Sequence, residues 1–144
     1  MRRWILGLAL LAPLAAAAND ILDAREAFRL VGATRIDSGL VLTWMVAPGY
    51  AVYRDRIHVS AQLPGMLSGA PFLPAGTVAS DGLGGTAVEY LEPFTMRIPV
   101  APTATGHVSV RIQGCHLIEP QVCFPPFTVD VPTDGTPTGY SPRG

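Results

Sequence analysis

The chain is 144 residues long and 49% hydrophobic, with 10 basic residues, 11 acidic residues and two cysteines. That length fits one domain with a modest core. A formal net charge of −1 leaves no electrostatic footprint for nucleic acid or an anionic membrane surface.

Residues 1-18 have a three-part layout: Arg2 and Arg3, an apolar run from Trp4 to Leu14, and the small residues Ala16, Ala17 and Ala18. This is the pattern of a secretory signal peptide, with cleavage expected before Asn19. A retained membrane anchor and a twin-arginine export signal are the competing readings. The apolar run falls short of the roughly 20 residues that a transmembrane helix needs. Every later apolar stretch is broken by proline, glycine or charge, so the mature chain is expected not to span a membrane. Without Arg2 and Arg3 the balance becomes 8 basic residues against 11 acidic ones. Both cysteines lie in the exported part, where an oxidising compartment permits disulfides.

Beyond Asp20 the hydrophobic pattern has period two, and helix is expected only as a turn near Asp23 to Ala27. Strands are predicted near Ala27 to Val31, Leu40 to Val46, Tyr53 to Val59, Val88 to Tyr90, Phe94 to Val100, His107 to Gln113 and Val122 to Val129. The clearest is Leu40 to Val46, where Leu40, Leu42, Trp44 and Val46 alternate with Val41, Thr43 and Met45, so Trp44 is placed in the core. Turn signals separate the strands: Asp37-Ser38-Gly39, Ala47-Pro48-Gly49, Leu63-Pro64-Gly65, Asp81-Gly82 with Gly84-Gly85, and Thr105-Gly106. The expected fold is all-β, an immunoglobulin-like sandwich of about seven to nine strands over residues 19-131. The segment 132-144, rich in proline, glycine and threonine, is expected to be a disordered tail.

Cys115 and Cys123 flank a connection between two neighbouring strands, close enough for a disulfide. Pro125 and Pro126 lack backbone donors and confine this segment to an edge or bulge, where a partner thiol has access. Three readings stay open: an exchanging pair, a structural staple, and a metal site that adds His116 to the cysteines. His58 and His107 read as surface residues, and Met45, Met66 and Met96 as packing. No serine-nucleophile context or placed carboxylate pair argues for a hydrolase.

Three blocks resemble a known family, the N-terminal periplasmic domain of the thiol:disulfide interchange protein DsbD. One runs Leu42-Thr43-Trp44, Gly49-Tyr50, Tyr53-Arg54 and Ile57. The second is Gln113-Gly114-Cys115 with Cys123-Phe124-Pro125-Pro126. The third and weaker block comprises Leu73-Pro74, Asp81, Gly85, Glu89-Tyr90 and Ile98-Pro99-Val100, and an entry segment Ala24 to Phe28 is also similar. The resemblance implies a periplasmic sandwich that carries electrons by disulfide exchange through Cys115 and Cys123, with Cys123 forming the mixed disulfides. It places Asp81 and Leu83 in a cap loop, with Tyr53 and Phe124 at the site wall. It implies no cofactor and no metal. The expected partners are thioredoxin-like periplasmic proteins and a membrane electron-transfer protein on another chain, because the chain stops after the sandwich.

Three departures from the pattern set further expectations. Seven residues separate the cysteines where the family usually has five, so the sulfur geometry is open. Ala51 and Leu83 stand where the family favours aromatics, so a looser, more open site is expected. The rival functions are a binding module with a purely structural disulfide and a periplasmic metal-handling protein.

Overall fold

A computed structural model describes residues 20-135, so the expected signal peptide lies outside the described residues. After a single helical turn, α1 (Ala24–Ala27), capped by the Asp23 carboxylate, eleven strand segments follow. They are β1 (Phe28–Ile36), β2 (Gly39–Val46), β3 (Tyr50–Tyr53), β4 (His58–Ala61), β5 (Thr77–Ser80) and β6 (Thr86–Tyr90). The remainder are β7 (Phe94–Pro99), β8 (His107–Ile112), β9 (Gly114–His116), β10 (Val122–Cys123) and β11 (Phe127–Pro132).

The segments form three sheets, in the orders β1-β2-β7, β10-β9-β3-β6-β5 and β11-β8-β4. Three short interruptions, at Arg54–Arg56, at Gln113 and at Phe124 to Pro126, carry the chain from the second sheet to the third or back. Counted through these interruptions, the eleven segments trace eight strand paths, within the expected seven to nine.

Alternation explains the core. On β2, Leu40, Leu42 and Trp44 are fully buried and Val46 nearly so, while Val41, Thr43 and Met45 on the other face are half-buried. Met96 and Ile98 of β7, Val108, Val110 and Ile112 of β8, and Val131 of β11 meet these residues in one apolar cluster. The Trp44 indole N–H has no hydrogen-bond partner among the described residues.

Some boundaries differ from expectation. The strand expected over Tyr53 to Val59 is broken by a 3-10 turn at Arg54–Arg56, three exposed charged residues with no apolar face to bury. The run expected over Val122 to Val129 is split because Pro125 and Pro126 cannot donate to a ladder. The first strand extends to Ile36 through a register shift between Leu30 and Gly32. β5, short and mostly exposed, carried too little apolar pattern to be foreseen.

The expected tail also starts inside the sandwich. Thr133 is buried, its N–H donates to the Gly106 carbonyl at 2.9 Å, and its own carbonyl accepts from Arg35 Nη1 at 3.4 Å. Thr133 therefore belongs to the sandwich, and residues 136-144 of the expected tail lie outside the described residues.

Filling the core with Trp44 makes its size the dominant contribution. Trp44→Ala is expected to lower unfolding free energy by about 3–5 kcal/mol. Trp44→Phe should cost clearly less, because it keeps an aromatic ring and removes an unpartnered buried donor. Denaturant unfolding with the disulfide intact measures both, and equal losses would contradict this account of the core.

Candidate functional site

Strand alternation decides which way the cysteines face. Along β8 and β9 the even-numbered residues point to the core: Val108, Val110 and Ile112 are fully buried, and Gly114 lies against the Phe28 ring. Cys115 therefore projects from the opposite face. A Cβ at Gly114 would run into the Phe28 ring and the Ala51 carbonyl, so only glycine lets β9 approach β3 this closely.

On the returning chain the phase is reset. Phe127, Val129 and Val131 of β11 pack on the core, and unbroken alternation would send Cys123 inward with them. The two residues Pro125 and Pro126 interrupt the ladder and reverse the phase. Phe124 then points inward, its ring centroid 6.0 Å from that of Phe28 and 6.3 Å from that of Tyr50, and Cys123 points outward.

Cys115 and Cys123 stand directly opposite one another, with Cα atoms 4.0 Å apart and sulfurs joined in a disulfide. The Phe124 N–H donates to the Gly114 carbonyl at 3.0 Å, which makes the cysteines a non-hydrogen-bonded pair, the position where facing side chains come closest. Their environments differ. Cys115 is 4% exposed, flanked by β10 on one side and by fully buried Ala51 of β3 on the other, while Cys123 sits on the edge strand and is exposed.

The seven-residue connection does not disturb this pairing, because it folds back on itself. The Leu117 N–H donates to the Gly49 carbonyl at 2.9 Å, Gln121 Nε2 donates to the Leu117 carbonyl at 3.1 Å, and Nδ1 of His116 meets the Pro120 carbonyl at 3.0 Å. The Glu119-Pro120 peptide is cis. Ile118 lies over Gly49, where an added Cβ would come within 2.8 Å of its Cδ1.

The disulfide lines an open cleft of about 330 Å³ together with Tyr53, Asp55, Arg56, Asp81, Leu83 and Gln113, among others. Tyr53 and the loop residues Asp81 and Leu83 thus line the same cleft as the cysteines. Phe124 does not: its ring is on the core side of β10, between Phe28 and Tyr50, because it follows Cys123 by one residue. Leu83 is 92% exposed, so it stands at the rim rather than over the sulfurs. His116 also lies away from the sulfurs, its ring 4.7 Å from Tyr50, so the three ligands of the rival metal reading do not converge.

Asp81 shapes the cap. Its Oδ1 accepts from the N–H groups of Leu83 at 2.8 Å and Gly85 at 2.9 Å, which hold its carboxyl below the ordinary aspartate range. Burial, with a smaller contribution from the Glu89 charge, pushes the Tyr53 phenol upward. Sequence reasoning missed Asp55 and Arg56, hidden in a predicted strand, and gave Gln113 no role although it sits two residues before Cys115.

Comparison with known proteins finds matches to one family. The family described as the N-terminal domain of thiol:disulfide interchange protein DsbD matches residues 18–134. Thiol:disulfide interchange protein DsbD 2 of Pseudomonas aeruginosa is 33% identical over 128 residues, covering 88% of this chain and 20% of that protein. DsbD of Pseudomonas fluorescens is 33% identical over 145 residues, covering 95% of this chain and 24% of that protein. The chain therefore spans about a fifth to a quarter of the length of these curated relatives. The reduced DsbD N-terminal domain of Neisseria meningitidis superposes with a TM-score of 0.67 at 26% identity, covering 79% of this chain and 90% of that one. The fold also matches a structure of the Neisseria meningitidis DsbD N-terminal domain complexed with the PilB N-terminal domain, with a TM-score of 0.65 at 24% identity, covering 85% of this chain and 94% of that one.

The Asp81 turn has a pH signature. A carboxyl lowered in the folded state adds stability above its unfolded value, about 3.9, and loses it as pH falls through the folded value. Amide exchange at Leu83 and Gly85 should accelerate in Asp81→Ala at neutral pH, and much less in Asp81→Asn, which keeps an acceptor oxygen. Unchanged protection in the alanine variant would show that the carboxylate does not hold the cap.

Proposed function

The chain belongs to the family of DsbD N-terminal domains, and from that premise we propose that it is a periplasmic thiol:disulfide exchange module. In this reading it passes reducing equivalents between a membrane-linked reductase and oxidised periplasmic proteins through Cys115 and Cys123. Thioredoxin-like proteins are the proposed exchange partners, and the complex formed by the Neisseria meningitidis domain with PilB is consistent with a site that receives another protein. Among the described residues no helix is long and apolar enough to cross a membrane.

The observation that carries the reading is the unequal exposure of the two cysteines. A partner thiolate attacks Sγ of Cys123, the accessible end. The S–S bond breaks, its electron pair passes to Sγ of Cys115, which takes up a proton, and Cys123 is left in a mixed disulfide. A second thiol of the partner then attacks the partner's own sulfur and releases Cys123, so the pair gains two electrons and two protons. In the other direction the Cys123 thiolate opens a disulfide of the acceptor, and Cys115 attacks Cys123 to free the reduced product. Relative reduction potentials set the direction.

The open cleft serves both steps. Leu83 at the rim and the exposed Cys123 leave a partner's sulfur room to approach. Burial of Cys115 reserves it for the internal step.

With Cys115→Ser, a mixed disulfide at Cys123 has no internal thiol to break it, so complexes with thioredoxin-like proteins should accumulate on non-reducing electrophoresis. Cys123→Ser should trap several-fold less. Trapping by neither variant would return the disulfide to a purely structural role, and a reduction potential below about −300 mV would agree with that outcome.

A further inference from the structure

Opening the disulfide removes the covalent tie between β9 and β10, and β10 is a two-residue edge strand followed by two prolines. Only a few contacts then keep Cys123 opposite Cys115. Two are the Phe124 ring against Phe28 and Tyr50 and the Phe124 N–H bond to the Gly114 carbonyl. A third comes from a side chain: Gln113 Nε2 donates to the Phe124 carbonyl at 3.0 Å.

The orientation of that amide is determined by chemistry. The Phe124 carbonyl can only accept, and on the other side Arg56 Nη1, which can only donate, reaches Gln113 Oε1 at 3.4 Å. Turning the amide over would set oxygen against oxygen and nitrogen against guanidinium. The Gln113 backbone carbonyl in turn accepts from the Tyr53 N–H at 3.1 Å, so the residue is anchored to the end of β3. It therefore links the stable interior strand to the residue immediately after Cys123.

We infer that Gln113 is a positioning residue of the dithiol state: its amide, oriented by Arg56, holds Cys123 in register with Cys115 once the disulfide is open. The inference rests on the exchange reading of the same site. Its consequence is an effective concentration. When the pair closes, Cys115 and Cys123 lose two protons and two electrons, and oxidised glutathione takes them up as two molecules of reduced glutathione. The equilibrium constant for closure rises with the fraction of time the two sulfurs face each other. A hydrogen bond of ordinary net strength is equivalent to a factor of roughly 5 to 10 in such an equilibrium, and a tenfold change corresponds to about 30 mV for this two-electron couple.

The test is the closure equilibrium of the full chain in glutathione buffers, or in dithiothreitol buffers where the pair is too reducing, for the wild type, Gln113→Ala, Gln113→Glu and Arg56→Gln. Closure is expected to weaken in Gln113→Ala, by at most about five- to tenfold, the full factor of the lost hydrogen bond. It should weaken as much in Gln113→Glu, whose carboxylate keeps the acceptor for Arg56 but loses the donor to Phe124. Arg56→Gln should show a smaller loss. Denaturant unfolding of the oxidised forms separates positioning from general destabilisation, because the intact disulfide supplies the register there.

Closure equal to wild type in both Gln113 variants would overturn the inference. Wild-type-like closure in Gln113→Glu alone would also overturn it, since it would show that the donor is unnecessary. A wild-type potential below about −300 mV counts against the exchange reading instead, and the variant-to-wild-type ratio still decides the role of Gln113.

Discussion

Everything distinctive about this molecule depends on one antiparallel pairing, the two-residue contact of β9 with β10 that sets Cys115 opposite Cys123. The pair occupies a non-hydrogen-bonded position, so the sheet itself brings the side chains together and the chain between them need only return. That is why the seven-residue connection is tolerated: it is held by bonds to Gly49 and within the loop and leaves the pairing of the cysteines undisturbed. The unequal exposure has the same origin. β9 is an interior strand with neighbours on both sides and β10 is an edge, so one sulfur is enclosed by construction and the other open.

The pairing is held in place by small residues and by a change of phase. Gly114 lets β9 lie against Phe28 and the β3 backbone, and Pro125 with Pro126 lets β10 face outward while β11 faces inward. The core supplies the rigid platform on which this happens, with Trp44 and the alternating apolar residues of β2, β7 and β8 forming one cluster. The cap adds little cover. Asp81 shapes the loop through backbone N–H groups, and Leu83 at its tip is almost fully exposed.

Much of this was legible in the sequence, for identifiable reasons. Alternation from Leu40 to Val46 announced a strand with Trp44 in the core, and β2 is that strand. The cysteines flanking a strand connection announced a possible disulfide, and Tyr53, Asp81 and Leu83 fall in the same cleft. What period two alone could not supply was phase. Read as one strand, Val122 to Val129 puts Cys123 and Val129 on one face, and only the ladder broken at the double proline separates them. The placement of Phe124 at the site wall came with the resemblance and not from periodicity, which already sets adjacent residues of a strand on opposite faces. Arg56 and Gln113 were invisible as site residues because they meet through tertiary contact between separate strand paths.

The central claim is that the two sulfurs are inequivalent, Cys123 being the one a thiol reaches. It is tested most directly by treating the oxidised protein briefly with reduced glutathione, quenching with acid and locating the glutathione adduct by peptide mass spectrometry. An adduct predominantly on Cys123 is the expected result. An adduct predominantly on Cys115, or shared equally between the two cysteines, would contradict it.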